Sequence, residues 1–209
     1  METLSQFGNI PIDISVLKSL FAAYTKPTNK IEAMVKDGTL VRLKRGLFVV
    51  SPKISGQLLS TELIANHIYG PSYVSMESAL RYYGLIPESV YLTRSMTIKR
   101  SKEFKNTLGT FDYIQCSEDY YSIGVRQEQS GEATFLIASP EKALCDMIVY
   151  TSKLRPRFIK AMEVYLEDDL RFDMDELQNF DIEILSACAE VGKKRNEIKN
   201  LIKIIERLK

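Results

Sequence analysis

Residues 27–50 restrict the possible folds more than any other stretch. Pro27 suits a first helical turn, Ile31, Met34 and Val35 recur at helical spacing, and Gly38 sits where a left-handed cap ends a helix. Two short apolar runs follow at once, Leu40 to Leu43 and Leu47 to Val50, bracketing Lys44, Arg45 and Gly46. They predict a hairpin with a basic tip. Upstream, Ile14, Leu17, Leu20 and Phe21 give another helix, and Glu2 to Phe7 a short first one before the Gly8 to Pro11 break. The order helix, helix, helix, hairpin is the plan of a winged helix-turn-helix.

Charge is distributed in a way that fits such a module. The chain of 209 residues carries 28 Lys or Arg against 27 Asp or Glu, a net charge of +1 that conceals an uneven spread. Residues 1–55 are net +4, residues 56–150 net −3, and residues 151–209 neutral. A positive first quarter on a neutral or acidic body points to one small module that meets a polyanion. With Ile31, Met34 and Val35 buried, Lys26, Asn29, Ala33 and Lys36 fall on the opposite side of the third helix. Lys26, Asn29 and Lys36 are candidates for the major groove, since Asn bonds adenine in bidentate fashion and Lys takes a guanine edge or a phosphate. Thr28, Lys30, Arg42, Lys44 and Arg45 are candidates for phosphates, which fix register without reading sequence. Glu32, on the flank, is unfavourable against phosphate but can accept from a cytosine amine. The bland alternative is a solvated helix face and a hairpin that only packs.

Downstream, Ser51, Pro52, Ser55 and Gly56 mark a linker, which divides the chain into an expected N-terminal domain 1–53 and a larger domain 54–209. Leu58 to Tyr69 and Ser75 to Tyr83 read as helices. From Val90 to about Leu136 the residues are rich in Tyr, Phe, Thr, Ile and Val, predicting three to four antiparallel strands. The last third is helical, with Ser139, Phe158 to Leu166, Asp175 to Phe180, Glu183 to Val191 and Lys193 to Leu208 as landmarks. The expected class is α+β, a winged helix-turn-helix plus a mixed C-terminal domain with a small antiparallel sheet and C-terminal helices.

Two internal blocks stand out: Ser72 to Leu80 running into Gly84-Leu85-Ile86-Pro87, and Ile137 to Asp146. Ser139 is a natural helix cap, Pro140 fits the first helical position, and Glu141 favours the positive end of the helix dipole. In this order behind a winged helix, the residues resemble the AbiEi family, the antitoxins of type IV toxin-antitoxin systems. Lys36-Asp37-Gly38-Thr39-Leu40 with Lys44 to Val49 is similar to that family's recognition helix, wing and exit strand. Ser72 to Leu80 and Ala138 to Asp146 are similar to two further family blocks, so the resemblance spans about residues 25–150. It implies a transcriptional autoregulator that binds inverted repeats in its promoter, and a C-terminal domain that opposes a nucleotidyltransferase toxin of the AbiEii kind. Tyr73, Glu77, Arg81, Glu141, Lys142 and Asp146 are the candidate partner surface, the alternative being that they serve the fold. The pattern departs at both ends: the first helix is short, and residues 151–209 carry no matching motif. A stand-alone winged-helix regulator and a protein-interaction module without a toxin partner both stay open.

Other classes find little footing. The longest apolar run, Leu20 to Tyr24, is far short of the ~20 residues a spanning helix needs. No secretory leader is visible, which leaves the cytoplasm as the expected compartment. Cys116, Cys145 and Cys188 are scattered and odd in number, as small core residues are. An acyl-transfer triad would have to recruit Ser139, His67 and Asp146, yet Ser139 already has a role as a cap. The Glu167-Asp168-Asp169, Asp173, Asp175, Glu176 group lacks calcium-loop spacing. Neither catalysis nor a cofactor nor a metal is expected. Tyr82-Tyr83 and Tyr120-Tyr121 are the remaining aromatic pairs, either base-stacking platforms or half-buried packing.

Overall fold

A computed structural model describes residues 2–87 and 92–209. Val90, where the strand-rich region was expected to begin, lies outside them. Glu2–Ser5 (α1), Ile12–Asp13 (β1), Ile14–Leu20 (α2), Pro27–Lys36 (α3), Leu40–Lys44 (β2) and Leu47–Val50 (β3) form a small N-terminal unit. Its strands pair antiparallel in the order β1-β3-β2. Asp13 caps α2 by accepting from the Ser15 amide at 2.8 Å, and Pro27 opens α3. Gly38 ends α3 at φ +79°, a conformation that costs glycine nothing. Leu4, Ile12, Leu17, Ile31, Leu40, Phe48 and Val50 make a core of their own, closed by Ile54 from Pro52–Ser55 (α4).

The larger unit begins with Thr61–Ile68 (α5), Ser72–Val74 (β4) and Met76–Tyr82 (α6). Leu92–Thr97 (β5), Lys102–Asn106 (β6), Gly109–Gln115 (β7), Glu118–Tyr121 (α7), Val125–Ser130 (β8) and Ala133–Ala138 (β9) follow. Where three to four antiparallel strands were expected, β5 to β9 join β4 in a mixed sheet of order β6-β7-β5-β4-β9-β8. The β6–β7 hairpin folds so that β7 returns beside β5 in parallel, and β4 lies parallel to β9. Such pairings join strands that are not sequence neighbours, so local patterning does not specify them.

The remainder is helical: Pro140–Tyr150 (α8), Ile159–Val164 (α9) running into a wide turn at Tyr165–Asp169, Ile182–Val191 (α10) and Arg195–Leu208 (α11). Ile198, Leu201, Ile204 and Ile205 give α11 one buried face. Lys194, just before it, donates from its ammonium to the carbonyls of Ile148, Thr151 and Leu154 at 2.7–2.8 Å. Ile148 and Thr151 lie at the C-terminal end of α8 and Leu154 just beyond it, where unpaired carbonyls and the negative end of the helix dipole favour a cation. The basic Lys193-Lys194-Arg195 run is in this part a helix clamp.

The hairpin joins the two units. Phe48 and Val50 face the small core, while Leu43, Leu47 and Val49 enter the large one. Asn106 reinforces the junction by donating its side-chain amide to the Leu43 carbonyl at 3.0 Å. Ile54, just past the expected boundary at residue 53, packs against the small core, and the hairpin contributes to both cores.

Candidate nucleic-acid interface

Along α3 the apolar side is Ile31, fully buried, with Met34 and Val35 packed against the small core. Lys26, Thr28, Asn29, Ala33 and Lys36 are exposed on the outer side. Lys30 is half-buried, its ammonium 5.5 Å from the centre of the Tyr24 ring. Arg45 is exposed at the hairpin tip. The structure therefore brings Lys26, Asn29 and Lys36 onto one solvent-facing helix surface.

Two of the hairpin cations behave differently from the sequence expectation. Arg42 is exposed, but one of its guanidinium nitrogens donates to both Glu32 carboxylate oxygens, at 2.5 and 2.6 Å, and the group lies over the Phe48 ring. That pair neutralises both groups, so Glu32 no longer opposes a phosphate and Arg42 offers one less strongly. Lys44 is a correction. Strict alternation places residues 40, 42 and 44 on one face, but the register slips between Arg42 and Lys44, leaving Leu43 as an extra residue. The bulge turns Lys44 to the Leu47 face, where its ammonium donates to the Ile68 carbonyl and lies 5.9 Å from the Phe104 ring. Burial lowers its pKa, and the neighbouring Lys102 and Lys99 lower it further.

The candidate partner surface is corrected more thoroughly, since Tyr73, Lys142 and Asp146 are 0% exposed and Glu141 4%. A contact surface cannot be built from side chains that solvent does not reach. Lys142 and Asp146 stand one turn apart on α8 with Nζ and Oδ1 3.3 Å apart. The other carboxylate oxygen accepts from Ser75 Oγ at 2.6 Å and from the Tyr73 hydroxyl at 3.1 Å. Lys142 also donates to the Tyr120 carbonyl at 2.8 Å and sits 3.1 Å from that ring's centre. Burial, then the Asp146 charge, pushes the Tyr73 hydroxyl well above its ordinary value. Gly124 permits this density: a Cβ there would lie 2.9 Å from Lys142 Cβ. The two sequence blocks thus meet as one buried polar lock between β4–α6 and α8. Glu141 accepts from the Asp181 amide, tying α8 to α10. Glu77 pairs with Arg94 at 2.7 Å, and Arg81 is exposed beside a shallow cleft with Thr61, Ser78 and Thr93.

The residues of the weighed acyl-transfer triad are not assembled. Ser139 is buried and accepts from the Lys142 amide, Asp146 is held in the lock, and His67 is exposed on α5. Tyr82 packs edge-on against Phe135 and Tyr83, Tyr121 against Tyr73, and Tyr120 is fully buried. The three cysteines are free and buried. Among the described residues no group of three or more His, Cys, Asp or Glu is placed to hold a metal ion, and no helix is long and apolar enough to cross a membrane. Missed by the sequence reading were Lys99, Arg100 and Lys102, exposed at the β5–β6 turn and on β6. Their clustering in the sequence was the available signal, averaged away in a segment that is net negative.

Taken together, the chain is an α+β protein with a small antiparallel sheet at its N-terminus and a larger mixed sheet behind it. Its fold is similar to the crystal structure of the RV2827C protein from Mycobacterium tuberculosis, with a TM-score of 0.51 at 13% identity, over 99% of this chain and 79% of that one. No family model and no curated protein matches the chain.

Proposed function

We propose that the small unit is a winged helix-turn-helix that binds duplex DNA, with α3 in the major groove and the β2–β3 hairpin as its wing. One observation carries the reading. The outer face of α3 presents Lys26, Asn29 and Lys36 to solvent while Ile31 anchors the opposite face in the core. An exposed helix with a bidentate-capable Asn between cations, beside a hairpin tipped by Arg45, has the chemistry to read bases and hold phosphates. Thr28 and Lys30 join Arg45 as phosphate ligands, with Arg42 a weaker one and Lys44 turned from the α3 side toward the large unit.

The regulatory half of the proposal follows from the resemblance to AbiEi antitoxins. The protein represses its own promoter at an inverted repeat, and its larger unit opposes a nucleotidyltransferase toxin encoded beside it. The buried lock serves that unit's stability rather than the contact itself, and the face around Glu77 and Arg81 is what remains of the candidate surface.

Two measurements test this. Charge reversal by Lys36→Glu and Arg45→Glu, at exposed positions, weakens binding to a fragment of the upstream promoter and flattens its salt dependence. Unchanged binding removes α3 and the wing from the DNA surface. Separately, the neighbouring reading frame, expressed alone, arrests growth, and coexpression of this protein relieves the arrest. Harmless expression of that frame leaves a stand-alone regulator, the other reading of the same surface.

A further inference from the structure

Where the hairpin leans on the large sheet, a cleft of about 480 Å³ opens between Lys44 and Arg45 on one side and Lys102 on the other, with Tyr69 and Phe104 in its lining. The two rings are 5.6 Å apart and collect cations over their faces. Lys102 Nζ lies 4.9 Å from the Phe104 centre and 5.9 Å from that of Tyr69. Lys99 Nζ lies 5.4 Å from Tyr69 and Lys44 Nζ 5.9 Å from Phe104. Ring faces attract ammonium groups, which explains how three of them share so small a region.

Their mutual repulsion is left largely uncompensated. Among the described residues no carboxylate forms an ion pair with Lys44, Lys99 or Lys102, while Glu103 is engaged by Lys105 at 3.1 Å and Asp13 acts on Lys44 only through the field. Lys99 and Lys102 are exposed. Lys44 and Lys99 each spend one donor on a backbone carbonyl, of Ile68 and Gly70 respectively, and an ammonium has three. A site with crowded, pre-positioned cations and open access takes an anion. Because ammonium groups already occupy the ring faces, a phosphate fits better than a stacked base.

We propose that this cleft grips the phosphodiester backbone of the same duplex that α3 reads, carrying the footprint from the wing tip at Arg45 across to the edge strand of the large unit. The inference rests on the DNA-binding reading above and adds to it a second-domain contact. The cleft contributes affinity and salt dependence without sequence preference, as backbone contacts do.

The test uses the full chain and a fluorescent promoter duplex, titrated across a range of potassium chloride concentrations. Lys99→Gln/Lys102→Gln weakens binding by roughly tenfold near physiological salt and makes the log–log salt slope shallower by about 1 to 2, since each neutralised phosphate contributes about 0.9. The ratio of promoter to scrambled-duplex affinity stays unchanged, and Lys99→Arg/Lys102→Arg restores the slope. Unaltered affinity and slope in the Gln variant, while Lys36→Glu weakens binding, overturns the cleft contact but leaves α3 in place. If neither variant changes binding, the DNA reading itself falls. Loss of binding to a single-stranded oligonucleotide or to inorganic pyrophosphate, with duplex binding intact, also overturns the proposal by assigning the cleft to another phosphate source.

Discussion

Lys142 and Asp146 are wholly buried, a placement that costs several kcal/mol per ion unless each charge is met by its partner and by further hydrogen bonds. Here Ser75, Tyr73 and the Tyr120 carbonyl supply those bonds. Removing one partner strands the other. Lys142→Ala is expected to destabilise the protein by about 3–5 kcal/mol, read from the urea denaturation midpoint. Lys142→Met combined with Asp146→Leu recovers most of that loss, because paired apolar replacements leave no stranded charge. A Lys142→Ala variant as stable as the parent contradicts the lock. In the sequence both residues belong to a motif block that offers a candidate partner surface or a service to the fold, and their charge, which normally marks exposure, does not distinguish the two. The i, i+4 Lys–Asp spacing within an otherwise apolar helix face was the legible hint that both point inward.

At the scale of elements, the helices and the hairpin of residues 14–50 were readable because each has a local cause: the Pro27 start, the Gly38 stop, the 3.6-residue spacing of apolar positions. The bulge at Leu43 was not, since a one-residue slip depends on what the hairpin packs against, and it decides where Lys44 points. Strand order in the large sheet was hidden for the same reason. The Asp13 cap on α2 gives a pH signature. Bonds from the Ser15 amide and hydroxyl hold its carboxyl below the usual value of 3.8. A depressed folded-state pKa contributes stability above the unfolded value and loses it as pH falls through the lower folded value. The thermal-midpoint difference between the parent and Asp13→Ala is therefore expected to be full at pH 6 and to shrink below about pH 4. A difference that persists unchanged at pH 2.5 removes the charged cap from the account.

Across the whole molecule, the hairpin is a member of two cores at once. Burying a Leu or Val side chain is worth about 1.5–3 kcal/mol, so Leu43, Leu47 and Val49 couple the units strongly. One cooperative unfolding transition is expected, and Leu43→Ala is expected to lower its midpoint by the equivalent of about 2–5 kcal/mol. Two resolved transitions in the parent contradict that coupling. Under the proposed function, the packing of the hairpin into both cores gives any partner of the larger unit a direct mechanical route to the proposed DNA surface. The most direct test of that surface is a backbone amide NMR titration of the full chain with its promoter duplex. The largest shifts are expected at residues 26–36 and 44–46. Shifts confined to residues 140–209, or none at saturating duplex, contradict the proposed surface.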